Sequence, residues 1–180
     1  HGATVAFPET GIGIYPGLGG TQRTTRRVGR GLSRWLVFTG QMIGAAEAAA
    51  IGLVDRAVSP DQIDATVREL LAGGRGAAPT LSAEHRELAS FFEAHDADAI
   101  RTGAAVPVGG EKVVKAAQRC ANKAPIAMRL AGEIIDQGAA ATLADGLEME
   151  LARLPEIFGS DDALAGLKSV GGRPPVYQGR

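Results

Sequence analysis

Glu9 is the only charged residue in the fourteen from Ala3 to Pro16, and its neighbours include Phe7, Pro8 and Ile12. A carboxyl group among apolar side chains is poorly solvated, which favours the neutral acid and moves its pKa toward the range useful for proton transfer. Four glycines and Pro16 follow within the eight positions Gly13 to Gly20. Glycine carries no Cβ, so backbone N–H groups there can come close to a bound molecule. A desolvated acid next to an open backbone has the composition of an active-site wall. The competing reading is a buried Glu that caps a helix or pairs with a nearby arginine. For Pro16 and Gly17 a plain turn competes equally with a substrate contact. The run is not a phosphate loop: Gly17-x-Gly19-Gly20 lacks the Lys-Ser/Thr of one nucleotide motif and the spacing of the other.

Several elements must position these residues. Thr4 to Phe7 is β-prone and stopped by Pro8, so it reads as a strand tip that delivers Glu9 into a loop. A short helix is expected from Gln22 to Val28, with Thr21 as its cap. Leu32, Trp35, Leu36 and Thr39 mark a second helix closed by Gly40. Ala45 to Ile51 reads as a short helix and Leu53 to Val58 as a buried strand or extended segment. Pro60-Asp61 opens a helix with Ile63, Val67, Leu70 and Leu71 on one face, stopped by Gly73-Gly74, and Gly73 to Thr80 is a linker by composition. Helices then follow over Leu81–Ala94, Ala97–Gly103 and Glu111–Lys123, and from Pro125. Another, capped by Thr142, runs through Leu143, Leu147, Leu151 and Leu154, and a short one starts at Ser160.

Composition excludes several functions. Lys and Arg number 19 against 20 Asp and Glu, so no global charge draws the chain to nucleic acid or an acidic membrane. No apolar run approaches the roughly 20 residues of a membrane-spanning helix, and no signal peptide is visible. Cys120 is the single cysteine, which suits a reducing cytoplasm and a core position. Trp35 is core by periodicity. His1, His85 and His95 show no metal spacing, and the latter two are expected at the surface. The five arginines Arg23, Arg26, Arg27, Arg30 and Arg34 are expected on solvated helix faces or in pairs between subunits. The chain begins at His1 rather than Met, and a cropped or processed start is expected.

The run Pro8-Glu9-x-x-Ile12-Gly13-x-x-Pro16-Gly17-x-Gly19-Gly20-Thr21-Gln22-Arg23 resembles the signature of the enoyl-CoA hydratase/isomerase (crotonase) superfamily. The resemblance continues through Thr39 to Ile43, Ala45 to Ala48 and Ile51 to Asp55, and returns in outline at Glu148-Met149-Glu150 and Ser160 to Gly166. It implies an α/β fold: the end of a spiral ββα core over residues 1–74, a linker or insertion over 75–110, and a helical oligomerisation segment over 111–180. The implied activity is hydration of a 2-enoyl-CoA thioester, with Glu9 as general acid/base and Pro16 and Gly17 against the acyl group. Hydration needs water activated at Cβ, a proton delivered to Cα and two N–H donors on the enolate oxygen.

The resemblance places the second glutamate and both of those donors upstream of His1. An enoyl-CoA isomerase using Glu9 alone, or a non-catalytic oligomerisation subunit, are the alternatives. Arg173 and Tyr177 fall where the family sets a basic and aromatic tail near the adenosine end of CoA, although Ser169-Val170 replaces the usual Ala-Phe before it. No tightly bound cofactor or metal is implied, and coenzyme A enters as the substrate's thioester. A trimer-based homo-oligomer is implied, with a companion chain carrying the upstream half as a further expectation. The form of the glycine run also resembles crotonase modules fused to 3-hydroxyacyl-CoA dehydrogenases.

Overall fold

The computed structural model describes residues 2–73 and 79–180. Its sheet content is one antiparallel pair, β1 (Thr4–Val5) and β2 (Ile43–Gly44), with Thr4 opposite Gly44 and Val5 opposite Ile43. A 3₁₀ helix over Pro8–Ile12 follows β1 and is closed by Gly13 at φ 85°. The expected loop at Glu9 is therefore a helical turn, because Pro8 presets φ at its first position and Gly13 supplies the left-handed exit.

Helices α1 (Gly20–Val28) and α2 (Arg30–Thr39) come next, then α3 (Ala45–Ala50) and α4 (Ile63–Gly73). The remainder is α5 (Ala83–Ala94), α6 (Ala97–Thr102), α7 (Glu111–Cys120), α8 (Pro125–Ala139), α9 (Leu143–Ala152), α10 (Leu154–Phe158) and α11 (Asp161–Lys168). Among the described residues no helix is long and apolar enough to cross a membrane.

The centre of the molecule is α2. Every residue from Gly31 to Thr39 is buried, so the periodic stripe read from the sequence understates it. Trp35, Leu36 and Phe38 join one core with Leu88 and Phe92 of α5, Val113 and Cys120 of α7, and Met128, Leu130 and Ile134 of α8. Phe38 and Phe92 meet with ring centroids 6.3 Å apart, and Phe92 meets Phe91 edge-on at 5.3 Å, both favourable for aromatic quadrupoles. At Gly31 the backbone carbonyl of Ala89 occupies the space a Cβ would need, which lets α2 and α5 touch. The segment expected as a linker or insertion thus adds Leu88, Phe92 and Ile100 to the same core as the residues before and after it.

Several local expectations are corrected by tertiary contacts. His85 is buried: it lies between Glu47 Oε1, 3.0 Å from its Nε2, and Ser82 Oγ, 2.9 Å from its Nδ1. Lys112 joins Glu47 at 2.6 Å. Burial opposes ionisation of Glu47, but the hydrogen bonds from Lys112 and His85 hold its carboxyl below the ordinary value. Arg34 is buried too. It donates to the carbonyls of Phe92 (3.0 Å) and His95 (3.2 Å) at the end of α5, where helix carbonyls lack partners, and it pairs with Asp136.

The other four arginines also bond within the chain. Arg23 donates to the Leu18 carbonyl, Arg26 to the Gly138 carbonyl in the last turn of α8 and the Ala141 carbonyl just beyond it, Arg27 to Gly52 and Asp55, and Arg30 to Glu93. Leu53 to Val58 forms no strand. The apolar face of α4 is exposed at Ile63, Val67 and Leu71, and the expected stop at Gly74 lies outside the described residues. The long helix from Thr142 breaks before Pro155, which lacks the N–H to continue it. Its leucines face outward at Leu143 and Leu151, while Gly146 and Glu150 face in.

Candidate active site

Thr10 anchors the helical turn that carries Glu9. Its hydroxyl is fully buried and donates to the carbonyls of Val37 (3.1 Å) and Phe38 (3.3 Å) at the end of α2. These are carbonyls without helical partners. Two further bonds fasten the turn: Ala124 N–H donates to the Thr10 carbonyl at 3.1 Å, and Tyr177 Oη donates to the Gly11 carbonyl at 2.7 Å. On the far side, a Cβ on Gly13 would stand 2.5 Å from the Asp162 carbonyl, so the turn also packs directly on α11. Thr10→Val is nearly isosteric and removes only the hydroxyl. It is expected to cost about 1–2 kcal/mol in urea denaturation, and a loss within error would show that the anchor contributes nothing.

Glu9 itself is half-buried. Its Oε2 has no contact with solvent and no hydrogen-bond partner among the described residues. Burial pushes the carboxyl above its ordinary value, and a hydrogen bond from its own backbone opposes this only in part. The group therefore holds its proton more tightly than a surface glutamate and has a lone acceptor oxygen aimed at nothing in the protein.

The glycine turn beyond it is held by a residue that local reasoning left without a role. Glu150 of α9 is nearly inaccessible, at 3% exposure. Its Oε1 accepts the Gly19 N–H at 2.6 Å, its Oε2 accepts the Thr21 hydroxyl at 2.6 Å, and its main-chain carbonyl accepts the Tyr15 hydroxyl at 2.6 Å. Both ends of the turn thus close on one residue, Tyr15 on its main-chain carbonyl and Gly19 with Thr21 on its carboxylate, which is seated at the N-terminus of α1, where the helix dipole favours negative charge. Thr21 therefore serves this bond, and the N-cap position belongs to Gly19 at φ 81°. Burial and the Glu150 charge push the Tyr15 hydroxyl up to about 12, so it stays a donor. The sequence signal was the inward pair Gly146 and Glu150 at i, i+4, with Gly146 set against Gln22.

Within the turn, Pro16 is buried and Gly17 exposed. Nothing lies within 4 Å of the position a Cβ would take on Gly17, so the fold itself does not require glycine there. Leu18 beside it is 99% exposed with φ 55°, an uncommon conformation for a branched residue. The structure thus brings Glu9, Pro16, Gly17 and Tyr177 onto two linked segments. It does not bring Arg173, which is exposed. Asp162 fixes the tail beyond it, accepting the N–H groups of Gln178 and Gly179 at 2.7 Å each. Among the described residues no group of three or more His, Cys, Asp or Glu could hold a metal ion.

A two-strand entry, a 3₁₀ turn bearing a desolvated acid and a glycine turn clamped from the C-terminal helices together define an α/β fold that sets the acid on the same segment as the glycine turn. Residues 1–106 match the sequence pattern of the enoyl-CoA hydratase/isomerase family. The chain belongs to that family. It is 34% identical over 178 residues to a probable mitochondrial enoyl-CoA hydratase 2 of Arabidopsis thaliana, covering 98% of this chain and 44% of that protein. Over 63 residues it is 51% identical to a short-chain-enoyl-CoA hydratase of Clostridium acetobutylicum, covering 35% of this chain and 24% of that one.

Two crystal structures share the fold. An enoyl-CoA hydratase from Rhodobacter sphaeroides has a TM-score of 0.73 at 21% identity, over 98% of this chain and 55% of that one. A carnitinyl-CoA dehydratase from Mycobacterium thermoresistibile has a TM-score of 0.71 at 24% identity, over 96% and 53%. The chain spans less than half the length of the curated relatives it matches. The α/β architecture expected from the resemblance, a short strand region followed by helices, is the architecture observed.

Proposed function

We propose that this chain is part of an acyl-CoA-processing enzyme, an enoyl-CoA hydratase that adds water to a 2-enoyl-CoA thioester, with Glu9 as a general acid/base. The observation that carries this reading is the buried, unpartnered Oε2 of Glu9 on a turn anchored by Thr10. A carboxyl with a raised pKa is suited to delivering a proton to Cα and recovering it from water. Pro16 and Gly17 would line the acyl group, and the open space over Gly17 gives a thioester backbone room to approach. Coenzyme A would enter as substrate rather than as a resident cofactor. The second carboxylate and the two enolate N–H donors would come from the portion of the relatives' length that this chain does not span, on the same polypeptide or on a companion chain. Residues 111–180 would build a trimer-based homo-oligomer through the outward Leu143, Leu151, Phe158 and Leu164. The buried single cysteine suits the cytoplasm.

The test is turnover of 2-butenoyl-CoA, followed by loss of the conjugated thioester absorbance, with Glu9→Gln as control. Equal rates for wild type and variant would end the assignment of Glu9. Gly17→Ala probes the wall: the fold is expected to be unaffected, with a change within about 0.5–1 kcal/mol, while KM for the enoyl thioester rises. An unchanged KM would return Gly17 to a plain turn.

A further inference from the structure

Lys123 lies between α7 and α8, and its Nζ is wedged against the turn that bears Glu9. It stands 3.1 Å from where a Cβ would be on Gly11 and 3.2 Å from the same point on Gly40, so glycine at both positions leaves the amine its place. The chain's other lysines are Lys112, Lys115 and Lys168. Lys112 pairs with Glu47 and Lys115 with Glu111, each at 2.6 Å, and Lys168 is exposed at the end of α11. Among the described residues no carboxylate acts on Lys123. Partial burial lowers its pKa, Arg119 adds to that effect and Cys120 opposes it. Burial pushes the Cys120 thiol up to about 12, so it stays neutral.

Lys123 also lines a pocket of about 350 Å³ with Arg101, Asn122, Pro174, Pro175 and Tyr177, and no carboxylate lines it. Arg101 has its Nε buried without a hydrogen-bond acceptor, and Asp98 stands 3.7 Å from it. A concave site lined by two basic side chains, and by no carboxylate among the described residues, raises the local concentration of anionic solutes.

We propose that Lys123 is a covalent acylation site for acyl-CoA thioesters, whose phosphates this basic pocket gathers. The unprotonated Nζ attacks the thioester carbonyl carbon. A C–N bond forms as the C–S bond breaks, the bonding pair leaves on the coenzyme A thiolate, and the proton from nitrogen passes to that thiolate or to water. The product is a neutral amide beside Gly11, on the same helical turn as Glu9. A desolvated lysine without a counter-ion is the lysine most able to act as a nucleophile.

The experiment is incubation of the protein with acetyl-CoA and, in parallel, with the acetyl thioester of N-acetylcysteamine, which carries no phosphate. Acetylated lysines are then located by peptide mass spectrometry. Lys123 is expected to be acetylated at least about three times faster than Lys115 or Lys168 by acetyl-CoA. The lead should shrink with the phosphate-free donor, and Arg101→Gln should reduce it only in the acetyl-CoA arm. Acetylation of Lys115 or Lys168 as fast as Lys123 by acetyl-CoA would overturn the proposal. Equal leads in both arms, unmoved by Arg101→Gln, would overturn the part played by the pocket. The source of the acyl donor rests on the acyl-CoA reading above. Acetyl-CoA has no double bond to hydrate, so failure here leaves the hydratase reading standing, and failure of hydration leaves this result standing.

Discussion

Glutamine at position 9 is expected to slow hydration of a 2-enoyl-CoA by about a hundred- to ten-thousand-fold, the usual effect of losing a positioned general acid/base. The loss should fall on kcat, with KM little changed, because the amide fills the same space but cannot exchange a proton. The same substitution should raise stability at neutral pH. Folding holds the Glu9 pKa above the ordinary 4.5, so between those two values the folded chain binds more protons than the unfolded one, and stability falls as pH rises. At higher pH the ionised carboxylate remains a cost to folding, which Gln removes. The gap between variant and wild type should therefore vanish below about the ordinary carboxylate value and open as pH increases. Urea titrations across that range, read beside the rates, check both halves. A variant that is slower and also less stable at neutral pH would mean that Glu9 is a structural carboxylate.

Glu150→Ala should be the most damaging single change to the site that leaves Glu9 untouched. It strips partners from the Gly19 N–H and the Thr21 hydroxyl, both bonded at 2.6 Å to a carboxylate only 3% exposed. Each buried donor left unpaired costs about 1–3 kcal/mol, so a loss near 3 kcal/mol is expected, about half of it recovered by Glu150→Gln. Gln keeps one acceptor for Gly19 and fills the volume, but it gives up the negative charge at the N-terminus of α1. Urea midpoints with unchanged m-values measure this. A cost below about 1 kcal/mol for the alanine variant would show that the turn holds itself, through the Gly20 N–H to Gly17 carbonyl bond at 2.9 Å.

Much of the fold was legible because its signals are local. Gly40 at φ 60° ends α2 where the glycine stood in the sequence. Pro125 opens α8. The hydroxyls of Thr142 and Ser160 cap α9 and α11 by accepting N–H groups three residues on. Trp35 and Cys120 lie in the core, as their spacing and neighbours implied. Each of these rests on residues no more than a few positions apart, where composition and periodicity carry the physics.

The misreadings have a common cause. His85 and Arg34 carry polar groups that usually face water, yet each found a dry place with partners far along the chain, Glu47 for one and the end of α5 for the other. The leucines of α9 look like a buried stripe, but Gly146 fits more closely against Gln22 than a leucine would. Leu53 to Val58 has the residues of a strand, but no neighbouring strand pairs with it.

By itself the sequence determined most of the helices, several of their caps, the family and the isolation of one acid among apolar residues, because proline, glycine and hydrophobic spacing act over a few residues. Only the tertiary structure decided that Glu150, 131 residues away, clamps the glycine turn, that Tyr177 bonds to the carbonyl of Gly11, and that the Lys123 amine sits against that same Gly11. Those contacts depend on which helix faces meet, and that is settled by packing volume and by the matching of buried donors to acceptors, neither of which has a period along the chain.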